Sequence, residues 1–152
     1  MRTRSQEETE VLVRKLIYEQ RAHYVTPADF VQRHLDLFYC RDRKPMIAAL
    51  RDAALLSLLP IIKTRLEEIS FQDWTLENLR TALNYLTEQF KVAKESERPE
   101  YEMRKLFFEY LRWALYGGRP GLSIPETMLY LGRPVVFQRL SSAEVEIVRH
   151  QQ

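Results

Sequence analysis

Apolar residues at Leu76, Leu79, Leu83, Leu86 and Phe90 alternate spacings of three and four. At about 3.6 residues per turn those positions share one side of an α-helix, and no other regular structure buries them together. Helix-start signatures recur along the rest of the chain. Ser5 precedes Glu8 by three, Thr26 opens Thr-Pro-Ala-Asp, Thr75 follows Trp74, and Ser123 and Ser141 precede Glu126 and Glu144. Each puts a hydroxyl where it can accept from the orphan N–H groups of a first turn. Val25 with Phe30 and Trp74 with Leu79 are placed as hydrophobic staples. The signals predict helices over 5 to about 23, 27 to about 39, 45 to about 59, 76–90 and 99–116. A short helix from 123 should end at Gly132, and a last one should start at 141 and fray toward 152. Pro60 is expected to kink the third helix or to start a new segment through Leu66. The run 135–137 (Val-Val-Phe) has β character but is too short to argue for a sheet. The reading is all-α: two small packed helical lobes of the bundle type, with no sheet. The charged stretch 91–98 is the candidate boundary, giving an N-terminal lobe over 1–92 and a C-terminal lobe over 93–152.

The chain has 152 residues, 45% hydrophobic and 29% charged, which suits a globular core and excludes collagen-like or disordered chains. No run of about 18 apolar residues exists, so no membrane helix is expected. Glu7, Glu8 and Glu10 follow the first residues directly and no apolar stretch does, so no secretory signal is expected there. The single cysteine, Cys40, cannot form an internal disulfide, which is consistent with a reducing, intracellular setting.

Several chemistries lack their residues. All four glycines fall between 117 and 132, with no Lys-Ser or Lys-Thr after them, so there is no phosphate loop. His23, His34 and His150 have no partner at metal-binding spacing. His34 and Cys40 are six apart, about 240° around a helix, and cannot pair there as base and nucleophile. They read as ordinary residues near a helix contact. No catalytic residue, metal or cofactor is expected.

The informative stretch is 111–140, LRWALYGGRPGLSIPETMLYLGRPVVFQRL. The helix leading into it has a stripe of Met103, Phe107, Tyr110, Leu111 and Ala114. Arg112 lies roughly 140° from the centre of that stripe, so it should face outward, near Lys105 and Tyr116. Trp113 lies about 120° off on the other side, where packing on a neighbouring lobe is the expected role. Between 112 and 139 there are four arginines against one acid, Glu126, while the whole chain carries a net charge of only +2. The basic excess is therefore local. The helix start at Ser123, beside the glycine loop, offers N–H groups and a positive dipole end to a phosphate or a base edge. The structural alternatives are Arg112 paired with Glu109, the glycines as an ordinary interhelical loop, and the arginines as solvated surface.

These residues also resemble a family. Arg112, Ala114, Leu115 and Gly117, then Gly121, then Leu131-Gly132, then Arg139-Leu140 are similar to the closing elements of the helical anticodon-binding region of bacterial and mitochondrial glutamyl-tRNA synthetases. Upstream, 59–65 (Leu-Pro-Ile-Ile-Lys-Thr-Arg) and Asp73-Trp74-Thr75 look like two further elements of that region, in the same order. The resemblance covers about 55–140 well and the first fifty residues poorly. Tyr116 stands where the family usually has Thr, and Leu122 where it often has Pro.

The resemblance implies a tRNA anticodon-binding module, either a piece of a glutamyl-tRNA synthetase or a free-standing relative, with tRNA-Glu as partner. Carried over residue by residue, it implies contacts from Arg112, Gly121, Leu122 and Ile124. Tyr116 would add a stacking face, and Arg119, Arg133 and Arg139 would add phosphate contacts. An arginine of the first lobe should contribute too, with Arg33, Arg51 and Arg65 as candidates. The synthetase's ATP-site motif and lysine-rich loop have no counterpart, so this chain alone should not charge tRNA. Within a larger protein it would belong to a glutamate–tRNA ligase; otherwise a catalytic half or another protein is the implied partner. The implied compartment is the mitochondrial matrix or the cytoplasm. The alternative is a non-catalytic helical scaffold, ribosome- or synthetase-associated, that keeps the fold and not anticodon reading.

Overall fold

The computed structural model describes residues 4–21, 26–39, 42–45, 53–91 and 100–151. They form seven helices: α1 (Gln6–Glu19), α2 (Pro27–Phe38), α3 (Ala53–Glu67), α4 (Leu76–Lys91), α5 (Glu100–Tyr116), α6 (Ile124–Leu131) and α7 (Arg133–Gln151). No strand occurs among the described residues, so the fold is all-α. No helix among them is long and apolar enough to cross a membrane. Val25, Cys40, Arg51 and Pro99 lie outside the described residues, as does the stretch 92–98 of the expected boundary.

The N-caps form as the signatures require. Glu8 N donates to Ser5 Oγ at 3.1 Å while Ser5 N donates back to Glu8 Oε2 at 3.2 Å. Thr26 and Asp29 make the same reciprocal pair at 3.2 and 3.0 Å. Asn78 N donates to Thr75 Oγ1 at 3.2 Å, and Glu126 N donates to Ser123 Oγ at 3.4 Å. Each satisfies groups that a helix end otherwise leaves to water.

One expectation is narrowed and one corrected. Of the two outcomes expected at Pro60, no new segment starts there: the third helix runs through it as one element. The last helix starts at Arg133 rather than at Ser141 and absorbs the β-like run. Val136, Leu140, Ala143 and Ile147 are all buried. Their four-three-four spacing continues one stripe straight past Ser141, so packing overrides the cap signal. Gly132, at φ 84°, closes α6, and Pro134 sits in the first turn of α7, where its missing N–H costs nothing.

The chain divides into two compact units, Met1–Arg41 and Asp42–Gln152. In the first, α1 and α2 bury Leu12, Leu16 and Leu37. His34 is fully buried with its ring edge-on to Phe30, 5.1 Å between centroids, and Arg4 Nη1 donates to Leu37 O at 2.6 Å. In the second, α4 packs against α3, α5 and α6, and α7 covers α5, α6 and α3. The helices on either side of 91–98 thus pack directly on each other within one unit. The stripe from Leu79 to Leu86 is buried, as is that from Met103 to Ala114. Trp74 is buried too and donates from Nε1 to Met128 O at 3.0 Å, tying the start of α4 to α6.

Candidate functional site

The site is built around the C-terminal end of α5. Gly117 and Gly118 adopt φ 69° and 81°, a region that L side chains avoid. The turn they permit brings Gly117 N to Trp113 O and Gly118 N to Arg112 O, each at 3.1 Å. Four orphan carbonyls at a helix end carry partial negative charge, and α5 has no basic residue in its own last turn. Distant arginines supply it. Arg43 donates from Nε and Nη2 to Ala114 O at 3.1 and 2.9 Å, and from Nη2 to Arg139 O at 2.7 Å. Its Nη1 reaches Ser142 Oγ at 3.1 Å and Glu146 Oε2 at 3.0 Å, and its guanidinium lies 5.3 Å from the Trp113 ring centre. Arg139, only 6% exposed, donates from Nη1 to Leu115 O at 2.7 Å.

The segment 42–45 is strapped onto the same turn. Lys44 N donates to Gly117 O and Trp113 Nε1 donates to Lys44 O, both at 2.9 Å. Arg119 Nη2 donates to Asp42 O at 2.7 Å. The buried Tyr110 hydroxyl nearby has its pKa raised, first by burial and then by the Glu144 carboxylate, with Arg43 opposing. It stays neutral inside this cationic junction.

Several expected contact residues belong to this framework. Tyr116 is 1% exposed, so its ring offers no face to a base. Gly121 packs on that ring so closely that a Cβ there would lie 2.7 Å from it. Leu122 is buried and fills the core. Arg139 and Arg119 are engaged on backbone carbonyls as described. Arg133 donates from Nε to Ile69 O at 2.9 Å and from Nη2 to Glu67 O at 3.1 Å, closing the end of α3, and stacks on Phe137. Trp113 is buried as expected, against Lys44 and Arg43. Arg65 pairs with Glu68 at 2.8 Å and covers Tyr85, away from this site; Arg33 lies in the first unit.

Arg112 differs from these other arginines in having no hydrogen bond or ion pair among the described residues. It is half-buried, its Nη1 is buried without a hydrogen-bond partner, and burial lowers its pKa, with Tyr116 opposing weakly. Glu109, its expected partner, faces Lys105 instead, at 3.8 Å. Arg112 opens into a cleft of about 830 Å³, within the roughly 300–1,000 Å³ typical of ligand pockets. Arg104, Lys105, Phe108 and Arg112 line it from one face of α5, and Arg80 and Asn84 from α4. Lys44 and the start of α6, Ser123 to Pro125, complete it; Ile124 contributes although almost wholly buried. Among the described residues, five cations thus share the cleft with one acid, Glu109. Lys44, Arg80, Arg104 and Arg112 have no ion-pair partner among the described residues.

Sequence reasoning found Arg112 and the α6 start. It missed Arg80, Asn84, Arg104 and Lys44. The spacing of 104, 105, 108, 109 and 112 along one helical face was a usable signal for α5. For α4 and Lys44 there was none, because they reach the cleft only through tertiary packing.

A family model described as an anticodon binding domain matches residues 7–144. The chain therefore belongs to the anticodon-binding domain family, and the match reaches far upstream of the motifs at 55–140. An anticodon-binding domain implies tRNA as its partner. Neither the curated proteins nor the solved structures compared with it matched the chain.

Proposed function

We propose that this chain is the anticodon-binding module of a glutamyl-tRNA synthetase, or a free-standing relative of one, and that it holds the anticodon loop of tRNA-Glu in the cleft beside Arg112. The supporting observation is the cleft around Arg112, where five cations and one acid meet among the described residues and four of the cations have no ion-pair partner there. Charges of one sign gathered in a cleft without partners favour a polyanionic ligand. The arginines and lysines hold phosphates, and the Arg104 guanidinium, stacked 5.4 Å from the Phe108 ring centre, extends a flat surface on which an unstacked base can lie. A catalytic half, covalently linked or separate, completes the charging activity in the mitochondrial matrix or the cytoplasm.

Fluorescence anisotropy of labelled tRNA-Glu at two salt concentrations tests this. Binding should weaken with salt, with Arg112→Ala and with an exchanged anticodon. Affinity indifferent to the anticodon reduces the cleft to a general basic surface. No binding at low salt replaces the proposal with the scaffold reading, for which a protein partner that survives RNase in a pull-down is the expected result.

A further inference from the structure

Resting on that reading, we infer that α4 supplies the base-reading wall of the cleft: Asn84 recognises the edge of one unstacked loop base and Arg80 the neighbouring phosphate. A base edge with adjacent donor and acceptor atoms, as on adenine or cytosine, is matched by one side chain that carries both an acceptor and a donor. No single side chain of the α5 wall carries both. Arg104, Lys105 and Arg112 only donate, and Glu109 only accepts. Among the described residues, three neutral polar side chains line the cleft, Asn84, Ser123 and Trp113. The Ser123 hydroxyl is held by Glu126, and Trp113 Nε1 is held by Lys44 O. Asn84 is exposed and has no hydrogen-bond partner among the described residues. Its amide alone keeps both a free donor and a free acceptor.

The geometry of α4 fits the division of labour. Arg80 and Asn84 are four residues apart, so they stack on one helical face. Leu83 beside them is buried and Trp74, at the helix start, is anchored to α6. The helix is therefore anchored, and the two exposed side chains it presents have no competing bonds among the described residues. An amide pairs bidentately with any base edge that offers adjacent donor and acceptor atoms, such as adenine or cytosine, whereas a guanidinium at Arg80 is suited to phosphate.

The test uses the full chain and tRNA-Glu transcripts in which each anticodon-loop base is exchanged in turn, with thermal melts to confirm folding. Asn84→Ala should bind the parent transcript roughly tenfold more weakly and lose discrimination at one loop position, with the salt slope unchanged. Asn84→Asp, which removes the donor and adds charge, should bind more weakly still. Arg80→Gln should weaken all transcripts alike and lower the salt slope by about one. If Asn84→Ala keeps the parent discrimination profile while Arg112→Ala loses affinity, the α4 assignment is overturned and the proposed function stands. If the unmodified chain itself fails to bind tRNA-Glu, both are overturned.

Discussion

Two groups of arginines sit within the same unit and do opposite things. Arg43, Arg119, Arg133 and Arg139 are folded back onto backbone carbonyls at the ends of α5 and α3 and in the strap at Asp42. Arg80, Arg104 and Arg112 face a shared cleft and have no ion-pair partner among the described residues. The first group has its charge engaged by these carbonyls. The second leaves its charge available. Counting arginines along the chain does not separate these roles; counting their acceptors does.

The contrast predicts opposite phenotypes. Arg43→Ala should have the largest effect, costing about 3 kcal/mol in urea unfolding, because one guanidinium holds Ala114 O, Arg139 O, Ser142 and Glu146 together. The RNA affinity of the protein that remains folded should stay within about twofold. Arg139→Ala should cost about 2 kcal/mol by the same assay, since it strips the Leu115 carbonyl of a charged donor inside the core.

Arg112→Ala should behave in the reverse way. Stability should change by no more than about 0.5 kcal/mol, as no internal hydrogen bond is lost at Nη1, while tRNA affinity should fall about tenfold. If this variant unfolds as readily as Arg139→Ala, the division into two groups is broken. Arg104→Gln should give the smallest change, a loss of about threefold at low salt with the salt slope reduced by about one. An unaltered slope would remove Arg104 from the interface and shrink the cleft's active wall to Arg112 and α4.

Much of the fold is readable from residue spacing. The capping pairs at Ser5, Thr26, Thr75 and Ser123, the stripe from Leu76 and the stripe from Met103 all act within one or two helical turns, so local chemistry settles them. Pro60 starts no new segment and Ser141 does not start the last helix for a shared reason: a local break signal costs about a kilocalorie or a few, and a buried stripe running through it outweighs that. Tyr116 misleads differently. Its place one turn after Arg112 suggests an outward face, but the glycine turn and the strap at 42–45 bury both sides of the α5 end.

The sequence by itself determined that this chain is helical, where most of its helices begin, and that Arg112 stands apart from the α5 stripe. Each follows from contacts a few residues long. Only the tertiary structure decided which cations are free, because the acceptors that engage Arg43, Arg133 and Arg139 lie from 24 to 103 residues away along the chain. It also decided that Arg80 and Asn84 face the same cleft as Arg112. Charge is written in the sequence, but whether it is already neutralised depends on what packing brings within about 3 Å of it.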